Sequence, residues 1–170
     1  MKNAIRYGLI YSAINILWSL IAYVFGISRS EHTWILSIIS VAMPVVCIVL
    51  SVYDERKSNP GGFISFSKAF KTGLVVVLLG TLINSAYAVL YAQVIDPEFM
   101  EYVEVKQIEQ LEESGMSDEQ IEANMSVFRM MKAPFGMFTF TLVAGVFSGA
   151  IYALIVAAIL RRSDPNDMFS

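Results

Sequence analysis

The side chains that could carry out chemistry are few, and the sequence does not bring them together. Ten of the fifteen acidic residues lie in one stretch, 96–122, whereas the only histidine is His32 and the only cysteine is Cys47. A zinc site needs several convergent histidine, cysteine or carboxylate ligands, and nucleophilic catalysis needs a base beside the nucleophile. The sequence also lacks the common nucleotide-binding, metalloprotease and nucleophile-elbow motifs. We therefore expect no enzymatic activity, no catalytic or metal-binding residues and no cofactor.

Four long apolar segments must position every other residue of the chain. Of the 170 residues, 56% are hydrophobic and only 16% are charged, whereas a soluble domain carries about 25% charged residues. None of the segments contains Asp, Glu, Lys or Arg, and each is long enough for a helix to cross a bilayer. They lie at about 7–27, 33–53, 72–95 and 134–160. Because backbone groups in lipid must pair within the segment, we predict an all-α integral membrane four-helix bundle, a single membrane domain over 1–170.

The basic residues are distributed unevenly between the two sides of these spans. Eight of the twelve flank the spans on one side, which the positive-inside rule makes cytoplasmic. These eight are Lys2, Arg6, Arg56, Lys57, Lys68, Lys71, Arg161 and Arg162. We therefore predict a multi-pass protein with both termini in the cytoplasm and the long third connection outside.

The connection between the second and third spans has the composition of a membrane surface segment. Residues 59–62 read Asn-Pro-Gly-Gly, which is a turn signal. Three phenylalanines follow, and they suit the interface between water and lipid. Lys68 and Lys71 lie among them, where a lysine can reach anionic lipid headgroups. We interpret Lys68 and Lys71 as headgroup contacts that anchor the third span.

The segment 96–133, between the third and fourth spans, is predicted to be an extramembrane helical hairpin. Asp96 is a candidate N-cap for the first helix, and Ser114 and Gly115 are typical of its end. Ser117 with Gln120 three residues later fits a capping box, which begins the second helix. The simplest interpretation is a hairpin that covers the outer end of the bundle. The functional alternatives are a docking surface for a membrane or periplasmic protein and a surface that attracts cations.

Neutral polar residues lie inside the spans. Such groups are expected to hydrogen-bond between helices. The four spans contain no acidic, basic or histidine side chain, which disfavours an ion-coupled transporter. The alternative is that Asn15 and Asn84 line a small polar cavity for a lipid or another ligand. The candidate polar contacts are Asn15, Ser40, Asn84, Ser85 and Ser148.

Gly145 and Gly149 form a G-x-x-x-G motif in the fourth span. Small residues at this spacing allow two helices to approach closely. We expect the motif to make a contact inside the bundle rather than a dimer.

Several stretches together resemble domain of unknown function family 4199, small four-helix bacterial membrane proteins found mainly in Bacteroidota. The matching stretches are MKNAIRYGLI, GGFISFSKAFKTGL, YAQVIDPEFME, MSDEQIE and GAIYALIVAAILRR. The resemblance implies a bacterial inner membrane and the same four-span topology. It implies no activity and no site residues.

Two functions remain open at this point. The first is a non-enzymatic inner-membrane protein that acts as an accessory or interaction subunit, with 96–133 as its partner surface. The alternative is a carrier or binder of a lipid or small molecule through a polar cavity in the bundle. A filled bundle centre would favour the first, and a cavity with Asn15 and Asn84 pointing in would favour the second. We expect the lipid bilayer as a partner and no nucleic acid.

Overall fold

The computed structural model describes residues 2–29 and 33–162, so His32 and residues 163–170 lie outside the described residues. Within this part the chain forms six α-helices and no strand. Short helical turns of other types lie at Ile27–Arg29, Pro60–Gly62 and Tyr91–Ile95. The α-helices are α1 (Lys2–Val24), α2 (Thr33–Lys57), α3 (Phe66–Leu90), α4 (Phe99–Glu113), α5 (Asp118–Lys132) and α6 (Pro134–Leu160).

Four helices in the described part, α1, α2, α3 and α6, are long and apolar enough to cross a membrane. The prediction of an all-α membrane protein with four spans is therefore confirmed. The bounds of α6 agree with the predicted fourth span, whereas the other three helices extend into charged or polar flanks. For example, α1 begins at Lys2 and α3 at Phe66. The apolar run shows only the part of a helix that lies in lipid, and the helix itself continues beyond it.

The chain forms two compact units, and the division falls inside α3 and α6. The first unit contains Met1–Asn84 with Ala144–Ser170, and we call it the bundle unit. The second contains Ser85–Val143, and we call it the hairpin unit. Parts of all four spanning helices belong to the bundle unit, whereas α4 and α5 belong to the hairpin unit.

Small and medium apolar side chains form the core of the bundle unit. Val76 and Val77 of α3 are buried together with Ile48 of α2 and Ala153 of α6. Large apolar side chains such as Leu17 instead point outward and stay exposed. Lipid solvates such side chains as well as a protein core does, so close approach of backbones is what holds spanning helices together.

One end of the bundle unit gathers the basic flanks of three segments, and we call it the basic end. The Tyr7 hydroxyl of α1 donates a 2.7 Å hydrogen bond to Oδ2 of Asp54 in α2. Ile64 and Arg162 form an isolated antiparallel bridge through two backbone hydrogen bonds of 3.0 and 2.9 Å. The start of α1, the connection from α2 to α3 and the end of α6 therefore meet at the same end.

The first helix of the hairpin unit begins later than the sequence predicts. The helix α4 begins at Phe99, with Glu98 at the N-cap position, and the Glu98 side chain makes no cap hydrogen bond. The backbone N–H of Asp96 instead donates to the carbonyl of Tyr91 and closes the preceding π-helical turn. The N-cap position is therefore Glu98 and not the predicted Asp96, which ends the π-helical turn and whose carbonyl accepts the Phe99 N–H.

The connection between α4 and α5 agrees with the predicted signals. Gly115 adopts a φ of 76°, and the backbone N–H groups of Gly115 and Met116 donate to the carbonyls of Glu112 and Leu111. This pattern is a Schellman motif, which needs a residue that tolerates positive φ. Ser117 and Gln120 then form both hydrogen bonds of a capping box. These local signals fix the turn between the two helices.

Candidate functional site

Gly145 and Gly149 of α6 lie against α3 inside the bundle unit. A Cβ at Gly145 would lie 2.7 Å from Cγ2 of Thr81, and a Cβ at Gly149 would overlap the side chain of Val77. The backbones of α3 and α6 can approach this closely only because both positions lack a side chain. The motif thus makes a contact within one chain.

A partly enclosed cavity of about 170 Å³ lies beside this contact, and we call it the bundle cavity. All four spanning helices contribute to its wall. Five of the wall residues carry a hydroxyl group, and none is charged. The wall consists of Tyr11, Ser40, Val41, Pro44, Val77, Thr81, Gly145, Ser148, Gly149 and Tyr152. The structure therefore brings together Ser40, Ser148 and the two glycines from the set of candidate residues.

Two of the five wall hydroxyl groups donate to carbonyls of their own helices. Thr81 Oγ1 donates a 2.7 Å hydrogen bond to the carbonyl of Val77, and Ser148 Oγ donates a 2.8 Å hydrogen bond to the carbonyl of Ala144. A carbonyl one turn back is already within reach of a serine or threonine in a helix. Ser148 keeps acceptor capacity on its oxygen after donating.

Asn84 is the buried polar residue of α3 that the structure leaves unsatisfied. Its side chain is 8% exposed, and among the described residues neither Nδ2 nor Oδ1 has a hydrogen-bond partner. The Tyr11 ring packs against Gly80, one turn before Asn84 on α3. An unsatisfied buried amide costs about 1–3 kcal/mol. Asn84 therefore lies next to a wall residue of the bundle cavity with its polar groups unused.

The remaining candidate polar residues are not part of the bundle cavity. Asn15 is half-buried on α1, and Ser85 is fully buried on α3. Neither Asn15 nor Asn84 lines the cavity. The two wall tyrosines, Tyr11 and Tyr152, are not among the candidates predicted from the sequence. The signal for Tyr152 was present in the sequence, because it lies one turn after Ser148 on the face that carries the small residues.

The two candidate headgroup contacts differ in their surroundings. Lys68 Nζ donates a 2.7 Å hydrogen bond to Oδ1 of Asn59 and lies 3.6 Å from Oε1 of Glu55. Asn59 in turn donates to the carbonyl of Phe63 at 2.9 Å. Lys68 thus helps to hold the connection from α2 to α3. Lys71 is exposed, and the described part of the chain offers it no ion pair.

Ion pairs tie α4 to α5 in the hairpin unit. Glu104 Oε1 lies 3.2 Å from Nε of Arg129, and its Oε2 lies 3.0 Å from Nζ of Lys132. Hydrogen bonds from Lys132 and then Arg129 lower the pKa of Glu104. Arg129 also pairs with Glu122 at 3.0 Å. We call Glu104, Arg129 and Lys132 the Glu104 clamp, since they join the two helices.

A groove of about 550 Å³ lies in the hairpin unit, and we call it the hairpin groove. Its wall is mostly apolar, with one amide from α4 and one from α5. It consists of Gln107, Ala123, Asn124, Val127, Phe128, Met131 and Phe140. The acidic residues of the same unit do not form a metal site, because no group of three or more potential ligands converges within the described residues.

Comparison with known proteins identifies the family of this chain. The family model described as a protein of unknown function, DUF4199, matches residues 6–162. The chain belongs to the DUF4199 family. The match takes in all four spanning helices, the bundle cavity and the hairpin of this DUF4199 protein. No curated protein and no solved structure matches it. The resemblance to this family is thus confirmed.

Proposed function

We propose that this DUF4199 protein is a non-enzymatic accessory or interaction subunit of the bacterial inner membrane. Its partner surface is the hairpin 96–133, which lies outside the cytoplasm, and both termini are cytoplasmic. The partner is a membrane or periplasmic protein that presents basic residues around an apolar anchor.

The observation that carries this proposal is an apolar groove in a strongly acidic unit. Segment 96–133 contains ten acidic and three basic residues, and all three basic side chains form ion pairs within the hairpin unit. The remaining negative charge attracts a positively charged surface and repels an acidic one. The hairpin groove supplies the desolvated apolar pocket that anchors a partner side chain.

The orientation is supported by the arrangement of the basic end. Four spans place both termini on the same side, and the Tyr7–Asp54 hydrogen bond and the Ile64–Arg162 bridge join their flanks. Eight of the twelve basic residues flank the spans at this end. Cytoplasmic loops carry such an excess of lysine and arginine.

The test is in-membrane crosslinking and purification with two matched variants of α5. Val127 lines the hairpin groove, whereas Met130 is exposed on the same helix outside it. We expect Val127→Asn to lower recovery of a stoichiometric partner about tenfold, which is the effect of losing roughly 1.4 kcal/mol. Met130→Asn should leave recovery of the partner unchanged. High salt should lower recovery of the partner with the wild-type protein.

Two further results decide the proposal. Crosslinks from the hairpin to a basic segment of the partner support it. Equal recovery with both α5 variants, or no specific partner when 96–133 is intact, would refute it. Reporter fusions at the C-terminus and in the hairpin test the orientation in the same strains.

We keep a second candidate function, that of a carrier or binder of a lipid or small molecule. The bundle cavity supports it, because a filled bundle centre would leave no space of about 170 Å³ among four spans. The asparagines do not line this space, so the hydroxyl groups on its wall are the recognition groups of this candidate.

A further inference from the structure

We infer that the bundle cavity binds an uncharged polyol group of glycerol size, either as a free molecule or as the headgroup of a neutral lipid. This inference rests on the second proposed function and names its ligand. The contacts are made by the hydroxyl groups of Tyr11, Ser148 and Tyr152, which come from α1 and α6.

The size of the cavity limits the ligand. A water molecule takes up about 30 Å³ in the liquid, so the volume of about 170 Å³ corresponds to a cluster of a few waters. A glycerol group fits such a space, whereas a phospholipid headgroup with its phosphate and counter-charge is too large.

The charge of the wall selects a neutral ligand. The wall contains no acidic or basic residue. An unpaired charge in the interior of a membrane protein is strongly unfavourable, so an anionic or cationic ligand would lack the partner it needs. Neutral hydroxyl groups can be satisfied by the hydroxyl groups of the wall alone.

The hydrogen-bonding capacity of the wall suits hydroxyl groups in particular. Ser148 already donates to the carbonyl of Ala144 at 2.8 Å, so its oxygen acts as an acceptor. The phenol groups of Tyr11 and Tyr152 are each both donor and acceptor. A ligand hydroxyl is likewise both a donor and an acceptor. A ligand carbonyl has no hydrogen to donate, so it would leave the acceptor oxygen of Ser148 unused.

Asn84 is a positioning residue in this site. Its amide has no hydrogen-bond partner among the described residues, and the Tyr11 ring packs against Gly80, one turn before Asn84 on α3. A hydrogen bond between the Asn84 amide and the Tyr11 hydroxyl would fix the direction of that hydroxyl towards a ligand. Replacing Asn84 should therefore weaken binding without removing a wall residue.

The experiment uses the full-length protein in phosphatidylcholine nanodiscs with three probes. Free glycerol is followed by saturation-transfer NMR, dioleoylglycerol by native mass spectrometry, and xenon, an apolar probe of the same space, by ¹²⁹Xe NMR. The matched variants are Ser148→Ala and Ser12→Ala. Both serines donate to carbonyls of their own helices, but only Ser148 lines the cavity. Thermal unfolding verifies that each variant is folded, and Tyr152→Phe replaces Ser148→Ala if that variant is not.

We expect Ser148→Ala and Asn84→Leu to weaken polyol binding about tenfold and threefold, and Ser12→Ala to leave it unchanged. Binding of dioleoylglycerol assigns the lipid source, and binding of glycerol alone assigns the free source. Xenon binding without either polyol would overturn this inference while leaving the second proposed function intact. Equal losses in the two serine variants would overturn this inference, and failure of all three probes would overturn both.

Discussion

The bundle unit and the hairpin unit are both helical, but different interactions hold them together. In the bundle unit, glycines at 145 and 149 let α6 approach α3, and hydroxyls such as Ser148 bond within their own helix. In the hairpin unit, a Schellman motif, a capping box and the Glu104 clamp hold α4 and α5. The surroundings of each unit explain the difference. Ion pairs and helix caps stabilise helices at a water-exposed surface, whereas close backbone approach stabilises helix pairs in lipid.

The two units also differ in their unsatisfied polar groups. Among the described residues, Trp18 Nε1, Ser51 Oγ and the Asn84 amide are buried without a hydrogen-bond partner, and all three lie in the bundle unit. Local rules are broken most often where a protein has a function to serve. One of these groups, the Asn84 amide, lies one turn after Gly80, against which the Tyr11 ring of the cavity wall packs.

The largest expected effect breaks the close packing of the bundle unit. Gly149→Leu forces a side chain into the space of Val77, and overpacking of this kind costs about 1–3 kcal/mol or more. Ala144→Leu is the control, because Ala144 is exposed on the same helix. Equilibrium unfolding in mixed micelles should show a clear loss of stability for Gly149→Leu only. Equal stability of the two variants would contradict the packing role of Gly149.

A smaller effect is expected when the Glu104 clamp of the hairpin unit is opened. Glu104→Gln removes ion pairs to Arg129 and Lys132 and should lower the stability of the hairpin by about 1 kcal/mol, because these pairs lie near the surface. Hydrogen exchange of the α4 and α5 amides measures the loss. Glu112→Gln is the control, since Glu112 is exposed and forms no ion pair in the described part of the chain.

The same clamp predicts the direction of a pH dependence. Folding lowers the pKa of Glu104, so its contribution is present above its unfolded pKa of about 4.3 and is lost as the pH falls through the lower folded value. The difference between the wild type and Glu104→Gln should therefore be full at neutral pH and vanish in acid. A difference that grows on acidification would refute this assignment.

The smallest effect concerns the cap of α5. Ser117→Ala removes the Oγ acceptor of the Gln120 N–H, and loss of such a cap costs about 1 kcal/mol or less in peptide helices. Ser126→Ala changes a serine in the middle of the same helix, whose Oγ donates to the carbonyl of Ala123. Faster exchange at the first turn of α5 should appear for Ser117→Ala alone. Similar exchange in both variants would show that the capping box adds no stability.

The helix ends show how far local signals reach. The capping box at Ser117 and the end of α4 at Gly115 were predictable, because each depends on residues within one turn. At the start of α4 the N-cap position is Glu98 and not the predicted Asp96, which ends the π-helical turn that begins at Tyr91. The hydrogen bond of Lys68, a predicted headgroup contact, to Asn59, nine residues away in sequence, needed the structure.

The sequence by itself determined the four spans, the hairpin and the family resemblance, because hydropathy, capping signals and motifs act over short stretches of chain. Only the tertiary structure decided which polar residues meet. Tyr11, Ser40, Thr81, Ser148 and Tyr152 come from four different helices, and they share one cavity. Which faces of the helices turn inward depends on how closely each pair of backbones can approach, and that depends on small residues of one helix meeting side chains of another, as Gly149 meets Val77.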